Sequence, residues 1–207
     1  MNIVQEYTKF RKEYEFNCEP LIKIDGKVYF RDYLVEDENK KYSLEETDDV
    51  LNIGYNYKYS LSRLLSNLYP ISFKFRGKKV SSIEGVLQGI KHKDKKTQNL
   101  VLKYFGLDAY HTRGANTIDF WGKTQKLYWQ GKEMDRNSEE YQAFIDELYI
   151  SAVKNPLYRK ALLQTEDRYL LHHFGNDDPM QTVLTRAEYE ERLNTLKEFV
   201  EINIDKF

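Results

Sequence analysis

One cysteine, Cys18, stands among 207 residues. That excludes a disulfide framework and a cysteine metal site. Charge of one sign is missing too: 32 Lys plus Arg face 33 Asp plus Glu, for a formal net charge of −1. A globally basic nucleic-acid binder is excluded by that balance, while a local basic groove is not. No apolar run approaches the length of a membrane span, and the first residues lack the basic-then-apolar layout of a signal peptide. The expectation is a cytoplasmic protein with no membrane partner. Internal repeats and low-complexity tracts are absent. So are the commonest chemical signatures: GxGxxG, GxSxG, the kinase motifs and HExxH. Gly122-Lys123-Thr124 has the ending of a phosphate-binding P-loop, but Thr117 occupies the place of its first glycine, so that reading is rejected.

What is present is a foldable, polar composition, 41% apolar and 31% charged, with 17 Tyr and 11 Phe. The length suits one well-packed domain with an added segment. Most of the aromatics are expected as core residues with a polar tip, and a few as stacking surfaces. Residues 1–60 differ in texture from the rest. Leu21-Ile22-Lys23-Ile24 and Val28-Tyr29-Phe30 flank Asp25-Gly26, which predicts a β-hairpin. An acidic loop or short helix follows from Glu36 to Asp49. Beyond Leu61 the pattern tightens. Phe73 and Phe75 alternate with polar residues as a short strand, and Ser82 to Lys91 reads as a helix with Ile83, Val86, Leu87 and Ile90 inward. Asp94 caps a second helix expected to run to Gly106. Capping boxes are expected at Asn137/Glu140 and Thr185/Glu188, a proline-started helix at Asn155-Pro156, and a short strand at Leu170-Leu171. The fold class is α+β and mainly helical.

Two segments carry candidate chemistry. Ser81-Ser82-Ile83-Glu84 has the spacing of a capping box, in which Glu84 serves only the helix start. At about 100° per residue, however, Glu84, Gln88 and Lys91 share one stripe beside the apolar face. A carboxylate there can act as a general base or stabilise a developing cation. By spacing alone the capping role is the stronger reading. The second segment is His172-His173-Phe174-Gly175-Asn176-Asp177-Asp178-Pro179. Adjacent histidines in extended chain point to opposite sides and make poor joint ligands, so no metal is expected. The ordinary reading of the remainder is a polar turn; the functional one is a loop carboxylate, Asp177 or Asp178, facing Glu84 across a glycosidic bond. Trp121, Tyr128 and Trp129 with Lys123, Lys126 and Lys132 form an aromatic-basic patch, usually core plus solvated lysines and less often a base-stacking surface.

Taken in order, these segments resemble the NADAR superfamily of YbiA-like proteins. Leu65-Ser66-Asn67-Leu68-Tyr69-Pro70 is similar to the family's opening motif, and Phe75, Gly77 and Lys78 to its strand and turn. Ser82 to Lys91 resembles its central helix with Glu84, Gln88 and Lys91 in register. Gly114 and Asn116 fit a later glycine-centred motif loosely, Asn155 to Leu163 resembles a following helix, and His172 with Asp177/Asp178 falls where the family has a His and an Asn-Asp loop. The resemblance spans about Leu61 to Val200. The runs Tyr128 to Lys132, Asp135 to Ser138 and Thr182 to Thr185 are closest in texture to a phage-associated branch. Pro179 to Leu184 replaces the Gly-rich segment of the YbiA-like proteins, which points to a different substrate.

The resemblance implies a single NADAR-like domain over 61–207 behind an N-terminal extension of residues 1–60. It implies an N-glycosidase that splits (ADP-)ribose from a base nitrogen, above all ADP-ribose from guanine in DNA, against a toxin-type ADP-ribosyltransferase. It implies no metal and no cofactor. In that reading Glu84 activates water or stabilises the oxocarbenium-like transition state, and Asp178 or Asp177 orients ribose or water. Lys91 and Arg113 neutralise phosphate, Asn67 and Gln88 bond sugar or base edges, Trp129 stacks on the base, and His172 lines the substrate site. The partners are an ADP-ribosylated base or nucleotide, with DNA as its carrier. The alternatives are a non-catalytic binder of ADP-ribose or NAD derivatives, cleavage of N-ribosylated pyrimidine intermediates, and an interaction protein using the N-terminal segment.

Overall fold

The computed structural model describes residues 2–14, 21–24, 27–30, 50–56, 60–112, 121–172 and 175–207. The helix Glu139–Val153 is its central strut, packed against the helices Ile3–Glu13, Ile83–Gly89, Pro156–Leu163 and Arg186–Ile202 and the strands Phe73–Phe75 and Lys132–Asp135. Ser138 caps it by accepting from the Tyr141 amide. From Tyr141 onward it is buried almost all round, as an interior helix must be. The expected α+β, mainly helical class is what the chain forms: helices dominate, and among the described residues the strands pair only in twos.

Three of those pairs are antiparallel hairpins. Leu21–Ile24 pairs with Lys27–Phe30, Phe73–Phe75 with Lys78–Val80, and Lys126–Trp129 with Lys132–Asp135. The N-terminal hairpin therefore forms on the segments expected for it; its Asp25-Gly26 turn, like the acidic stretch 36–49, lies outside the described residues. The fourth pair is parallel and joins segments more than a hundred residues apart. Val50, Leu51 and Asn52 lie beside Tyr169, Leu170 and Leu171, and the Ile53 amide extends the ladder to the Leu171 carbonyl at 2.7 Å.

Packing crosses the boundary expected at residue 60. Tyr7, Leu51 and Ile53 are fully buried in the same core as Phe144, Tyr149 and Leu193. The Ile3–Glu13 helix is held further by Arg11, which donates to Asp146 at 3.0 and 3.3 Å and to Glu191 at 2.7 Å, and by the Tyr7 hydroxyl, which donates to the Arg192 carbonyl at 3.1 Å.

Helix starts show where spacing and structure part. The Thr185/Glu188 box forms with both reciprocal bonds, and Asn155 caps Pro156–Leu163 as expected. At the other two the cap is displaced by one residue, which puts Tyr141 and Gly85 at the third position, and no reciprocal bond forms. Ser138 rather than Asn137 is the cap of Glu139–Val153, and Ser82 rather than Ser81 caps Ile83–Gly89. The helix from Asp94 also stops early, spanning Lys95–Val101, and Gly106 at φ +58° opens a separate helix, Gly106–His111. The cause is tertiary: the Ser81 amide and the Ser82 hydroxyl bond the carbonyls of Leu102 and Tyr104 at 3.0 and 2.9 Å, which pulls the chain out of helical register. The approach is close, since a Cβ at Gly85 would stand 2.9 Å from the Tyr104 carbonyl oxygen and 3.1 Å from that of Val101.

The Thr185 box is reinforced by an ion pair. Arg136, 1% exposed, grips the Glu188 carboxylate with both Nη atoms at 3.1 and 2.5 Å. Burial alone would raise the Glu188 pKa; the Arg136 bonds, the Thr185 amide and Gln142 outweigh it and hold it at about 2 against an ordinary 4.5. A lowered folded-state value means that the contribution is complete above the unfolded value and fades as pH falls toward about 2. Glu188→Gln is therefore expected to cost at most about 3 kcal/mol at neutral pH. The gap to the wild-type melting temperature should close between pH 4.5 and about 2 in thermal melts. A gap that stays constant with pH would contradict this.

Candidate functional site

The Ile83–Gly89 helix is buried along its whole length, its polar residues included: Glu84 is 8% and Gln88 5% exposed. With Ser82 as the cap, Gly85 is the third helical residue, and the Ser82 hydroxyl accepts from its amide at 2.9 Å. Glu84 is thus the second residue and out of position for the reciprocal capping bond. Its carboxylate turns along the stripe instead. Gln88 Nε2 donates to Glu84 Oε1 at 2.6 Å, and Lys91 Nζ donates to Gln88 Oε1 at 2.8 Å. The amide orientation is dictated by its neighbours, because an ammonium only donates and a carboxylate only accepts. The Lys91 ammonium also stands 5.4 Å from the centroid of the Trp121 ring, a cation–π contact.

The turn before this helix supplies the next group. The Glu84 amide donates to the Asn67 carbonyl at 2.8 Å, which ties the Asn67 turn to the first turn of the helix. Asn67 Oδ1 accepts from the Tyr149 hydroxyl at 2.9 Å. That bond turns Asn67 Nδ2 to the other side, and among the described residues no acceptor meets it. Tyr149 lies beside Tyr189, with ring centroids 6.2 Å apart, and Tyr189 donates to the Leu65 carbonyl at 2.9 Å. Both phenols are held protonated. Burial lifts each well above its ordinary value, and for Tyr189 the negative charge of Glu84 adds to it.

His172 joins from the far end of the chain. Its ring meets that of Tyr189 edge-on at 5.0 Å. Its Nδ1 lies 2.7 Å from the Ile53 carbonyl oxygen, and a carbonyl only accepts, so Nδ1 carries the hydrogen and in the neutral ring Nε2 is the acceptor nitrogen. The Glu190 carboxylate fixes the backbone by accepting from the His172 amide at 2.7 Å.

Of the residues read from the sequence, Glu84, Gln88, Lys91 and Asn67 meet directly, and His172 reaches them through Tyr189 and Tyr149. The loop carboxylates have other engagements. Asp177 holds Arg186 with both Nε and Nη2, at 2.9 and 2.5 Å, and accepts from the Ala187 amide at 3.0 Å, at the start of the last long helix. Asp178 accepts from the Met180 amide at 2.9 Å and from Gln181 Nε2 at 2.8 Å. Trp129 requires a correction. It is 7% exposed and sits among Phe75 and Phe144, at centroid distances of 5.0 and 5.5 Å, as a core residue with no face open to a base. Trp121, against Lys91, is the tryptophan beside the stripe. Arg113, with Gly114 and Asn116, lies outside the described residues.

Sequence reasoning missed Tyr149 and Tyr189. The signal was their hydroxyl: a tyrosine rather than a phenylalanine at a core position needs a buried partner.

A mainly helical α+β fold that gathers a buried carboxylate, two amides and a lysine beside one short helix defines the class. The chain belongs to the family described as bacteriophage protein GP30.3, whose family model matches residues 58–198. That family is the phage-associated branch of the NADAR superfamily. Among solved structures, the NMR structure of the E. coli protein YbiA is similar at 20% identity, covering 78% of this chain and 89% of that chain with a TM-score of 0.49. No curated protein matches significantly. Among the described residues no helix is long and apolar enough to cross a membrane.

Proposed function

We propose that the chain is an N-glycosidase that hydrolyses the bond between (ADP-)ribose and a base nitrogen, with ADP-ribosylated guanine in DNA as its substrate. The observation that carries this reading is the Glu84 carboxylate, which is buried, out of place for capping, and aligned by Gln88 and Lys91. Water attacks the anomeric carbon as the carbon–nitrogen bond breaks. The bonding pair leaves with the base nitrogen, and Glu84 accepts the water proton and steadies the cationic ribose. Asn67 Nδ2 donates to a ribose hydroxyl, Lys91 and Arg113 take the phosphate charge, and the His172 ring borders the sugar. Asp177 and Asp178 act indirectly here, by fixing the loop after His172 against the last long helix. The test is release of ADP-ribose from an oligonucleotide carrying ADP-ribosylated guanine, read by mass spectrometry beside a set of N-ribosylated pyrimidines. Product from neither class of substrate ends the glycosidase reading.

A second reading, a non-catalytic binder of ADP-ribose, is favoured by one observation. Arg186 and the Ala187 amide already hold Asp177, so one carboxylate stands at the stripe where glycosidases commonly place two. Calorimetric binding of ADP-ribose with no product from any ribosylated base would establish it. In either reading Tyr149→Phe is expected to release Asn67 and weaken ADP-ribose binding about tenfold, or about 1.4 kcal/mol, within the range for one hydrogen bond. Unchanged affinity in calorimetry would remove Tyr149 from the site.

A further inference from the structure

We propose that the surface built from residues 91–103 guides the phosphate backbone of a DNA strand past Glu84, so that the substrate base arrives on a polymer and not as a free nucleotide. This rests on the glycosidase reading and adds to it a docking face away from the reacting bond.

The first argument is charge segregation. The chain has a net charge of −1, yet 91–103 holds Lys91, Lys93, Lys95, Lys96 and Lys103 against the single Asp94. Asp94 is committed to the helix start, where its Oδ2 accepts from the Thr97 amide at 2.6 Å. Elsewhere several lysines are matched. Lys126 stands within ion-pair distance of Glu133 and Asp135, Lys132 of Glu140, Lys12 of Glu139 and Lys206 of Glu6. Among the described residues none of Lys93, Lys95, Lys96 and Lys103 has such a carboxylate. Unmatched positive charge of that density attracts a polyanion.

The second argument is that the platform is firm. Lys93 stands over the Tyr128 ring, 5.7 Å from its centroid. The Lys95 stem lies across the turn of the neighbouring hairpin, where a Cβ at Gly131 would stand 2.6 Å from Lys95 Cε. Gln130 holds that turn to the Lys95–Val101 helix, its Nε2 donating to Gln98 Oε1 at 2.8 Å and to Asn99 Oδ1 at 3.1 Å. Two aromatic-backed or turn-backed lysines and a bonded amide pair give a surface with little ordering left to do on binding.

The third argument is continuity. Lys91 belongs both to this face and to the Glu84 stripe. Lys91 follows the end of the helix by two residues, and its ammonium is linked to the Glu84 carboxylate through the Gln88 side chain. A strand crossing the lysines therefore brings a base into reach of the carboxylate.

The probe is an unmodified single-stranded 20-mer followed by fluorescence anisotropy over a salt series, for the wild type and for Lys93→Glu/Lys95→Glu/Lys96→Glu. Circular dichroism and melting temperature verify that the triple variant folds. Loss of three phosphate contacts should lower the slope of log K against log salt by about 2, and weaken binding at low salt at least tenfold. Turnover of free ADP-ribosylated guanosine should be unchanged, while KM for the modified oligonucleotide rises. Equal slopes and affinities for variant and wild type overturn the proposal, as does wild-type binding to poly-glutamate with none to the 20-mer. The two readings fail separately: oligonucleotide binding that depends on these lysines without any ADP-ribose release sinks the glycosidase, and cleavage indifferent to the triple variant sinks the docking face.

Discussion

A Glu84→Gln protein is expected to fold as the wild type does and to lose about 100- to 10,000-fold in turnover of ADP-ribosylated guanine, the span typical of an acid–base group. The substitution is a clean one because of how the stripe is wired. Gln88 Nε2 donates to Oε1 of residue 84, and a glutamine there still offers an Oε1 in the same place. Gln88 then keeps its orientation toward Lys91, and the buried chain of bonds survives with one charge removed. The melting temperature should therefore move by no more than a few degrees. The loss should fall on kcat and leave KM within a few-fold, since the carboxylate acts on the transition state more than on the bound substrate. Full turnover by a correctly folded Glu84→Gln protein would remove Glu84 from the chemistry. A loss confined to KM would move it to substrate binding and favour the non-catalytic reading of the fold.

The same wiring explains how much of the site could be read from the sequence. The register of Glu84, Gln88 and Lys91 follows from helical geometry, and the structure joins all three in one hydrogen-bonded row. What spacing could not decide was whether Glu84 capped the helix. Ser81 and Ser82 are both good caps, and the choice between them is made by Leu102 and Tyr104, whose carbonyls take the Ser81 amide and the Ser82 hydroxyl. A local pattern carries no knowledge of a partner twenty residues away. The Asn137/Glu140 box did not form for a comparable reason, because Ser138 beside it is also a good cap and its hydroxyl reaches both the Tyr141 amide and the Asp135 carbonyl. Trp129 was misplaced because an aromatic within a basic stretch reads alike whether it faces solvent or Phe75 and Phe144. The hairpin at 21–30 and the strand at Leu170-Leu171 were legible as elements. The parallel pairing of that strand with Val50–Asn52 was not, since nothing local announces a partner more than a hundred residues upstream.

Asp146→Ala is expected to destabilise the fold by about 3–5 kcal/mol. Asp146 is fully buried and accepts from Arg11 at 3.0 and 3.3 Å and from Arg192 at 3.2 Å. Arg192 is itself fully buried, and its other bonds go to neutral oxygens, the Glu188 carbonyl at 3.1 Å and Gln142 Oε1 at 2.5 Å. Without Asp146 its guanidinium loses the one carboxylate bonded to it among the described residues, which is the costly case for a buried ion. Arg11 fares better because Glu191 still holds it at 2.7 Å. Arg11→Ala, which leaves Asp146 paired with Arg192, should therefore cost clearly less than Asp146→Ala. Asp146→Asn should lie between, since one side-chain oxygen still accepts while the charge is gone. Urea denaturation of the three variants checks the order, and an Asp146→Ala cost under about 1 kcal/mol would refute the account. The consequence extends to the site. Asp146 and Tyr149 share the central helix, about one turn apart, so a helix loosened at Asp146 also loosens the Tyr149 hydroxyl from Asn67. Asp146→Ala should lose stability and ADP-ribose affinity together, whereas Glu84→Gln loses turnover alone; that contrast separates a residue that holds the site from one that works in it.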